Sequence, residues 1–326
     1  MFLSIFRTTP DALRVYRILL MIIVPVSLGV EFLSRIDVIE IISPAFSPIM
    51  DLVGLPPELG LAFLTALLVG LWGGIALMFT LVPLETLSVA DVTVFSALIL
   101  FAHALPIEQK IIEQVGPRMM FTSFLRFFGG LVYAFILHQI FSATGWLQDP
   151  VVPAWVPLAE SVGWAEFLFA LFEAMAWMGV ILVGLFWLLE LLKQTGVLNA
   201  LMRVIVPILR VCGINGETAP LTTVGLLLGI SYGAGPLIKE AQSGLISPRQ
   251  ILLSCILMGF AHSMIEDTIL VVAMGADAIS VFFGRFAFAL IATAFFAAVL
   301  KHIPDRWFFS VLYLPNHAKV SGAKAC

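Results

Sequence analysis

Charge is what this sequence has least of. Asp, Glu, Lys and Arg together make up 12% of its 326 residues, about half the share usual in a soluble domain. Cysteine is scarce too, with 3 residues. Cys212 and Cys255 sit in apolar segments and Cys326 is the last residue, so neither a disulfide framework nor a CxxC metal site is available. No cluster of Lys and Arg offers a nucleic-acid surface. The nucleophile elbow GxSxG and the zinc motif HExxH are both missing. His262 and Ser263 are adjacent, but neighbours on a helix point in different directions and make no catalytic dyad. No enzyme activity, cofactor or nucleic-acid partner is therefore expected. A leader cleavage site is lacking as well. Arg7, Arg14 and Arg17 precede an apolar run that continues into EFLSRIDV without a small-x-small signal, as in an uncleaved first span.

What the chain has in excess is hydrophobicity: 61% apolar residues and a mean hydropathy of +1.07. These values describe an integral, all-α polytopic protein of the lipid bilayer. Apolar stretches at 15–33, 60–82, 121–141, 166–192, 219–238 and 279–300 are near the length that spans about 30 Å of hydrocarbon. The stretches 91–105 and 250–274 are shorter or interrupted, and 38–53 and 197–212 read as short amphipathic helices.

Shifting the sequence against itself by 159 positions aligns its rare residues without a gap. Glu31 meets Glu190, Pro48 meets Pro207, Gly54 meets Gly213 and Glu58 meets Glu217. Gly70 and Gly74 meet Gly229 and Gly233, and Ser88 meets Ser247. Phe101-Ala102-His103 falls on Phe260-Ala261-His262, Glu108 on Asp267, and Arg126-Phe127 on Arg285-Phe286. Hydrophobicity alone would pair Leu with Leu, not Glu, His, Arg and Pro in one register. The expected organisation is a first repeat over 1–142, an external linker over 143–165, a second repeat over 166–300 and a cytoplasmic tail over 301–326.

Positive charge near spans favours the cytoplasmic side. Arg7, Arg14 and Arg17 at one end, and Lys301, Arg306, Lys319 and Lys324 at the other, place both termini in the cytoplasm of a cell inner membrane. The linker carries Asp149, Glu160 and Glu166 and no Lys or Arg. Each repeat then crosses an odd number of times and the two are inverted, with 91–118 and 250–277 as re-entrant hairpins. Against this count, Lys239 and Arg249 would lie outside.

Inverted repeats with broken helices are a recurring plan of secondary transporters, which bind substrate near the midplane. Glycines crowd the two candidate breaks: Gly70 and Gly74 before Pro83, and Gly229, Gly233 and Gly235 before Pro236, Lys239 and Glu240. Tyr232 and Trp72 would give such a cavity flat aromatic walls. In GFAHSMIEDT, a continuous helix would put His262 and Glu266 on one face, with Asp267 about 100° away. The equivalent FAHALPIE keeps His103, places Glu108 at the Asp267 position and carries Pro106 as a helix stop. Imidazole with carboxylate inside a membrane suits a proton pathway or a divalent cation, so His103, His262, Glu266 and Asp267 are candidate metal ligands. Arg126 and Arg285 stand near span starts and are expected to snorkel to the interface. Glu58 and Glu217 are expected to cap the helices that follow them.

The duplicated GISYGAG and GFAHSMIEDT-type segments resemble the nucleoside-recognition, or Gate, family of membrane proteins. Its relatives include spore maturation membrane proteins and the gate regions of the bacterial ferrous-iron permease. The resemblance implies an inner-membrane transporter-like protein. It departs from the iron permease in having no GxxxxGK[ST] loop and no cysteine in its glycine-rich breaks. The expected activity is secondary transport of a nucleoside-like solute or a cation, proton-coupled if both site types operate. The alternative is a membrane interaction or regulatory protein whose glycine faces meet partners or a second copy.

Overall fold

A computed structural model describes residues 8–36, 38–154, 163–230, 238 and 246–314. Among these residues the secondary structure is helical, with two isolated β-bridges and no strand. The helices are α1 Thr9–Arg35, α2 Leu59–Leu68, α3 Leu71–Leu81, α4 Val89–Phe101, α5 Leu105–Glu113, α6 Met119–Thr144, α7 Trp164–Gln194, α8 Val197–Val211, α9 Ala219–Leu228, α10 Pro248–Phe260, α11 Glu266–Ala273 and α12 Arg285–Leu300. Short helical turns fill 38–53, and a π-turn, Ile279–Gly284, leads into α12. Four segments among the described residues are long and apolar enough to cross a membrane: Val89–Glu113, Met119–Thr144, Trp164–Leu192 and Ile279–Leu300.

The stretch 60–82, near the length of a span and carrying a candidate break at its glycines, is broken at Val69–Gly70 into α2 and α3. A helix of ten or eleven residues reaches only about 15 Å, half a bilayer core. The stretch 91–118, expected as a re-entrant hairpin, supplies the 25-residue apolar segment Val89–Glu113, interrupted at Ala102–Ala104. Pro106 does not stop a helix there. It occupies the first turn of α5, where its missing N–H costs nothing.

Backbone geometry recurs at the repeat offset. Positive φ is found at Gly54 and Gly213, Gly70 and Gly229, Ala104 and Ser263, and Gly116 and Gly275, each pair 159 apart. Helix starts recur too. In the first half Ser88 and Asp91 cap α4 reciprocally: the Asp91 carboxylate accepts from the Ser88 N–H and hydroxyl, and the Asp91 N–H donates to Ser88 Oγ. In the second half Ser247 Oγ accepts from the Gln250 N–H at the start of α10. Glu58 makes no side-chain cap. Before α9 the work falls to Asn215 rather than Glu217, its Oδ1 accepting from the Thr218 N–H at 2.9 Å.

The chain forms two compact units. Unit 1 comprises Met1–Ile99, Ala134–Leu198 and Ile269–Asp277. Its core packs Phe167, Leu171, Ala174, Met175 and Met178 of α7 against Ala76 and Trp72 of α3 and Tyr16, Leu20 and Val24 of α1. Gly74 lets α3 fold back on α2, since a Cβ there would lie 2.6 Å from Ala66 Cβ. The start of α4 is bonded to the linker, Val89 N–H donating to Asp149 O and Ala90 N–H to Leu147 O.

Unit 2 comprises Leu100–Tyr133, Asn199–Thr268 and Ala278–Cys326. Phe101, Phe260, Phe288 and Tyr133 pack ring against ring at its centre, with centroids 5.2–6.0 Å apart. Arg249, at the start of α10, pairs with Asp305 at 2.6 Å and donates to Leu300 O and Ile303 O beyond the end of α12. The last described residues lie along the α5–α6 turn. Leu314 N–H donates to Gly116 O, Arg118 N–H to Leu312 O, and the Tyr313 hydroxyl to Val115 O. Burial pushes the Tyr313 hydroxyl above its ordinary pKa, so it remains a donor.

Candidate functional site

The site begins with two broken helices. In unit 2, Phe101 ends α4 and α5 starts at Leu105, while Phe260 ends α10 and α11 starts at Glu266. Ala104 (φ +47°) and Ser263 (φ +48°) take left-handed backbone in the gaps, each immediately after a histidine that itself lies in the break. A broken helix leaves carbonyls without intrahelical donors, and a buried carbonyl needs a partner. Two arginines supply them. Arg126 Nε donates to Phe101 O at 2.6 Å and Nη2 to His103 O at 3.1 Å. Arg285 Nε donates to Phe260 O at 2.9 Å, and its Nη2 to His262 O at 3.1 Å and Leu100 O at 2.9 Å. The planar five-donor guanidinium is suited to bridging several carbonyls at once.

Arg126 is 1% and Arg285 0% exposed, so the expected snorkelling does not occur. Both side chains turn into the protein. Room for them comes from small residues: Gly259 lies under Arg126, and Gly129 under Phe260.

The two histidines meet head to head. His262 Nε2 lies 3.1 Å from His103 Nε2, with ring centroids 4.8 Å apart. A carbonyl only accepts, so the 2.9 Å contact from His262 Nδ1 to Met258 O fixes the proton on Nδ1. In the neutral ring the His262 Nε2 lone pair then points at His103. Glu108, in the first turn of α5, reaches both rings: Oε1 is 3.6 Å from His103 Nε2, and Oε2 is 3.4 Å from His262 Nε2. Oε2 also accepts from Arg126 Nη1 at 2.5 Å. Asp267, in the first turn of α11, places Oδ2 3.8 Å from His103 Nε2.

Several polar atoms around these breaks are buried without a hydrogen-bond partner: Asp267 Oδ2, Arg285 Nη1, both amide atoms of Gln109 and Thr268 Oγ1. Native proteins leave few such atoms. Here they fall on two dipeptides at the repeat offset, Glu108-Gln109 and Asp267-Thr268, and on the arginine beside the second.

The structure thus gathers His103, Glu108, His262 and Asp267 into one cluster inside unit 2. Gly229 stands beside it. Its φ of +98° ends α9, and a Cβ there would lie 2.3 Å from Ser263 Oγ. The same-face reading of His262 and Glu266 is corrected, because 261–265 is not helical and the two are not one turn apart. Glu266 opens α11, half-buried beside Asp267. Gly70 and Gly74 belong to unit 1, where Gly70 (φ +139°) starts α3 and Gly74 packs on α2. Trp72 joins the α1–α7 core of that unit. Tyr232, Gly233, Gly235, Pro236, Lys239 and Glu240 lie outside the described residues. Arg126 and Arg285 are the members that sequence reading misplaced. Their positions eight and seven residues into Met119–Thr144 and Ile279–Leu300 are too deep for an interface, and that depth was the available signal.

No family model matches the chain. No solved structure matches it. A curated relative does: the chain is 27% identical to "Uncharacterized membrane protein YvoD" of Bacillus subtilis (strain 168) over 293 residues, which cover 88% of this chain and 90% of the relative. With four segments apolar enough to span and a relative described as a membrane protein along nearly its whole length, the chain is an all-helical membrane protein.

Proposed function

We propose that the protein is a multi-pass inner-membrane secondary transporter whose cargo, or the cation that drives it, passes through the His103–Glu108–His262–Asp267 cluster. The observation that carries this reading is the set of buried polar atoms lacking partners at two helix breaks. Ionisable groups inside a membrane are costly and mark ion or solute paths. Backbone is left non-helical at such depth only where protein or a cavity covers it.

Charge favours a cation over a nucleoside-like solute. Around the two breaks the carboxylates of Glu108, Glu266 and Asp267 outnumber the guanidiniums of Arg126 and Arg285 by one, an excess of negative charge while both histidines are neutral. The nucleoside class rests on the Gate resemblance and on the aromatic pair Trp72 and Tyr232, of which Trp72 packs into the unit 1 core and Tyr232 lies outside the described residues.

The transporter carries two inverted repeats. Two bonded junctions support opposite orientations. The start of α4 is joined to the acidic linker at Leu147 and Asp149, whereas the start of α10 is joined to the basic tail at Leu300–Asp305. Under the positive-inside preference those two ends face opposite sides. Arg249 then lies on the cytoplasmic side, which removes the objection raised by its charge.

A second reading, a membrane interaction protein, draws on the outward face of α7. There Phe169, Phe172, Trp177 and Val180 surround an exposed Glu173, and a carboxylate within a lipid-facing stripe is what a partner chain would cover.

Reconstitution distinguishes the two. Proteoliposomes on a solid-supported membrane should give a charge-translocation current on a jump in a cation or a nucleoside, and His103→Gln should abolish it. A silent wild type across both panels would favour the interaction reading.

A further inference from the structure

Two imidazole Nε2 atoms at 3.1 Å need something electron-poor between them. With His262 Nδ1 held as a donor by Met258 O, the His262 Nε2 lone pair faces His103 Nε2. A proton on His103 Nε2 answers this requirement. So does a metal ion.

The dimensions suit the ion. Bonds of about 2.0–2.1 Å at a tetrahedral angle put two ligand nitrogens about 3.3 Å apart. The nitrogens here are 3.1 Å apart, and one ligand atom from each of His103, His262 and Asp267 lies within 4.8 Å of the others. Asp267 is the independent pointer to a ligand. It is 8% exposed, its Oδ2 lacks a hydrogen-bond partner, and that atom lies 3.8 Å from His103 Nε2.

We propose that His103 Nε2, His262 Nε2 and the Asp267 carboxylate bind one divalent first-row transition metal, with a fourth position open on the Glu108 side. The proposal rests on the transport reading and names the cation class of that same cluster.

The donor set excludes other classes. Two imidazoles and one carboxylate suit Zn2+, Co2+ or Fe2+, whereas Mg2+ and Ca2+ prefer all-oxygen sites. Three protein ligands and one open position describe a site that exchanges its ligand, not a closed structural one. The supporting contacts are in place. Met258 O fixes the tautomer of one ligating ring, a role that outer partners commonly play. Arg126 and Arg285 are held by the carbonyls of Phe101, His103, Phe260, Leu100 and His262, so neither guanidinium turns into the gap between the rings.

The test is Co2+ binding by the full chain purified in detergent, followed by elemental analysis and by the visible absorption of four-coordinate cobalt. Wild type should take up one Co2+ per chain, bleached by Zn2+ and indifferent to excess Mg2+. His262→Gln and Asp267→Asn should each weaken binding at least tenfold, the lower end of what even outer-sphere changes produce, and thermal melting without metal checks that each variant is folded. His302→Gln, at an exposed histidine, should bind as wild type. Absence of a cobalt band in wild type, or a band that survives in both ligand variants, overturns the assignment. If cobalt does not bind but the cation current persists, the metal site falls and the transport reading stands. If cobalt binds and nothing moves, the site stands and transport falls.

Discussion

Two helix breaks 159 residues apart meet the same electrostatic problem with different outcomes. In the first, Arg126 Nη1 donates to Glu108 Oε2 at 2.5 Å and the buried pair is closed. In the second, the equivalent atoms, Arg285 Nη1 and Asp267 Oδ2, both lack a hydrogen-bond partner. The other guanidinium contacts are alike: Nε to the carbonyl 25 residues upstream and Nη2 to the carbonyl 23 residues upstream. The backbone turn is alike too, with Ala104 and Ser263 both left-handed. What differs is one methylene. Glutamate reaches its arginine and aspartate, shorter by about 1.5 Å, does not. A near-symmetric frame thus holds one neutralised pair and one carboxylate available to a cation.

The sharpest way to break this comparison is to neutralise each acid in turn. Removing one partner of a closed buried pair leaves a stranded charge and costs about 3–5 kcal/mol. Glu108→Gln is expected to lose stability on that scale, whereas Asp267→Asn, with no closed pair to break, should cost less than about 1 kcal/mol. Thermal or chemical unfolding in detergent checks both. Equal losses would mean that the pairs are equivalent.

The comparison can also be reversed. Asp267→Glu supplies the missing methylene and should close the second pair, raising stability by about 1 kcal/mol while suppressing cation current and Co2+ uptake. A gain in stability with undiminished uptake would separate Asp267 from the site.

A smaller effect tests the break beside the cluster. Gly229→Ala places a Cβ 2.3 Å from Ser263 Oγ at φ +98° and should cost about 1–3 kcal/mol. The smallest concerns the caps. Ser88→Ala loses a reciprocal cap and should cost about 1 kcal/mol. Ser247→Ala, whose contact to the Gln250 N–H is 3.4 Å, should cost less.

The sequence made parts of this legible for definable reasons. Rare polar residues align in one register at an offset of 159, and four of them converge in the structure: His103 on His262, with Glu108 and Asp267 beside them. The all-helical, membrane character followed from composition. Helix continuity followed in part. The break within 60–82 falls at Gly70, where the crowded glycines suggest it, but whether 261–265 is helical depends on Ser263, a non-glycine residue held in a left-handed turn by its surroundings. Nothing local announces that. The arginines were misplaced for the opposite reason. Local rules send a lone arginine near a span end to the interface, and only the carbonyls released by a break elsewhere in the chain reward burying it.

The most direct test of the cluster as a cation site is the current of Asp267→Asn in proteoliposomes, measured on protein whose melting temperature is first shown to match wild type. The structure predicts a folded variant with no cation-driven current. A folded variant carrying the full wild-type current would contradict the account and make the cluster architecture alone.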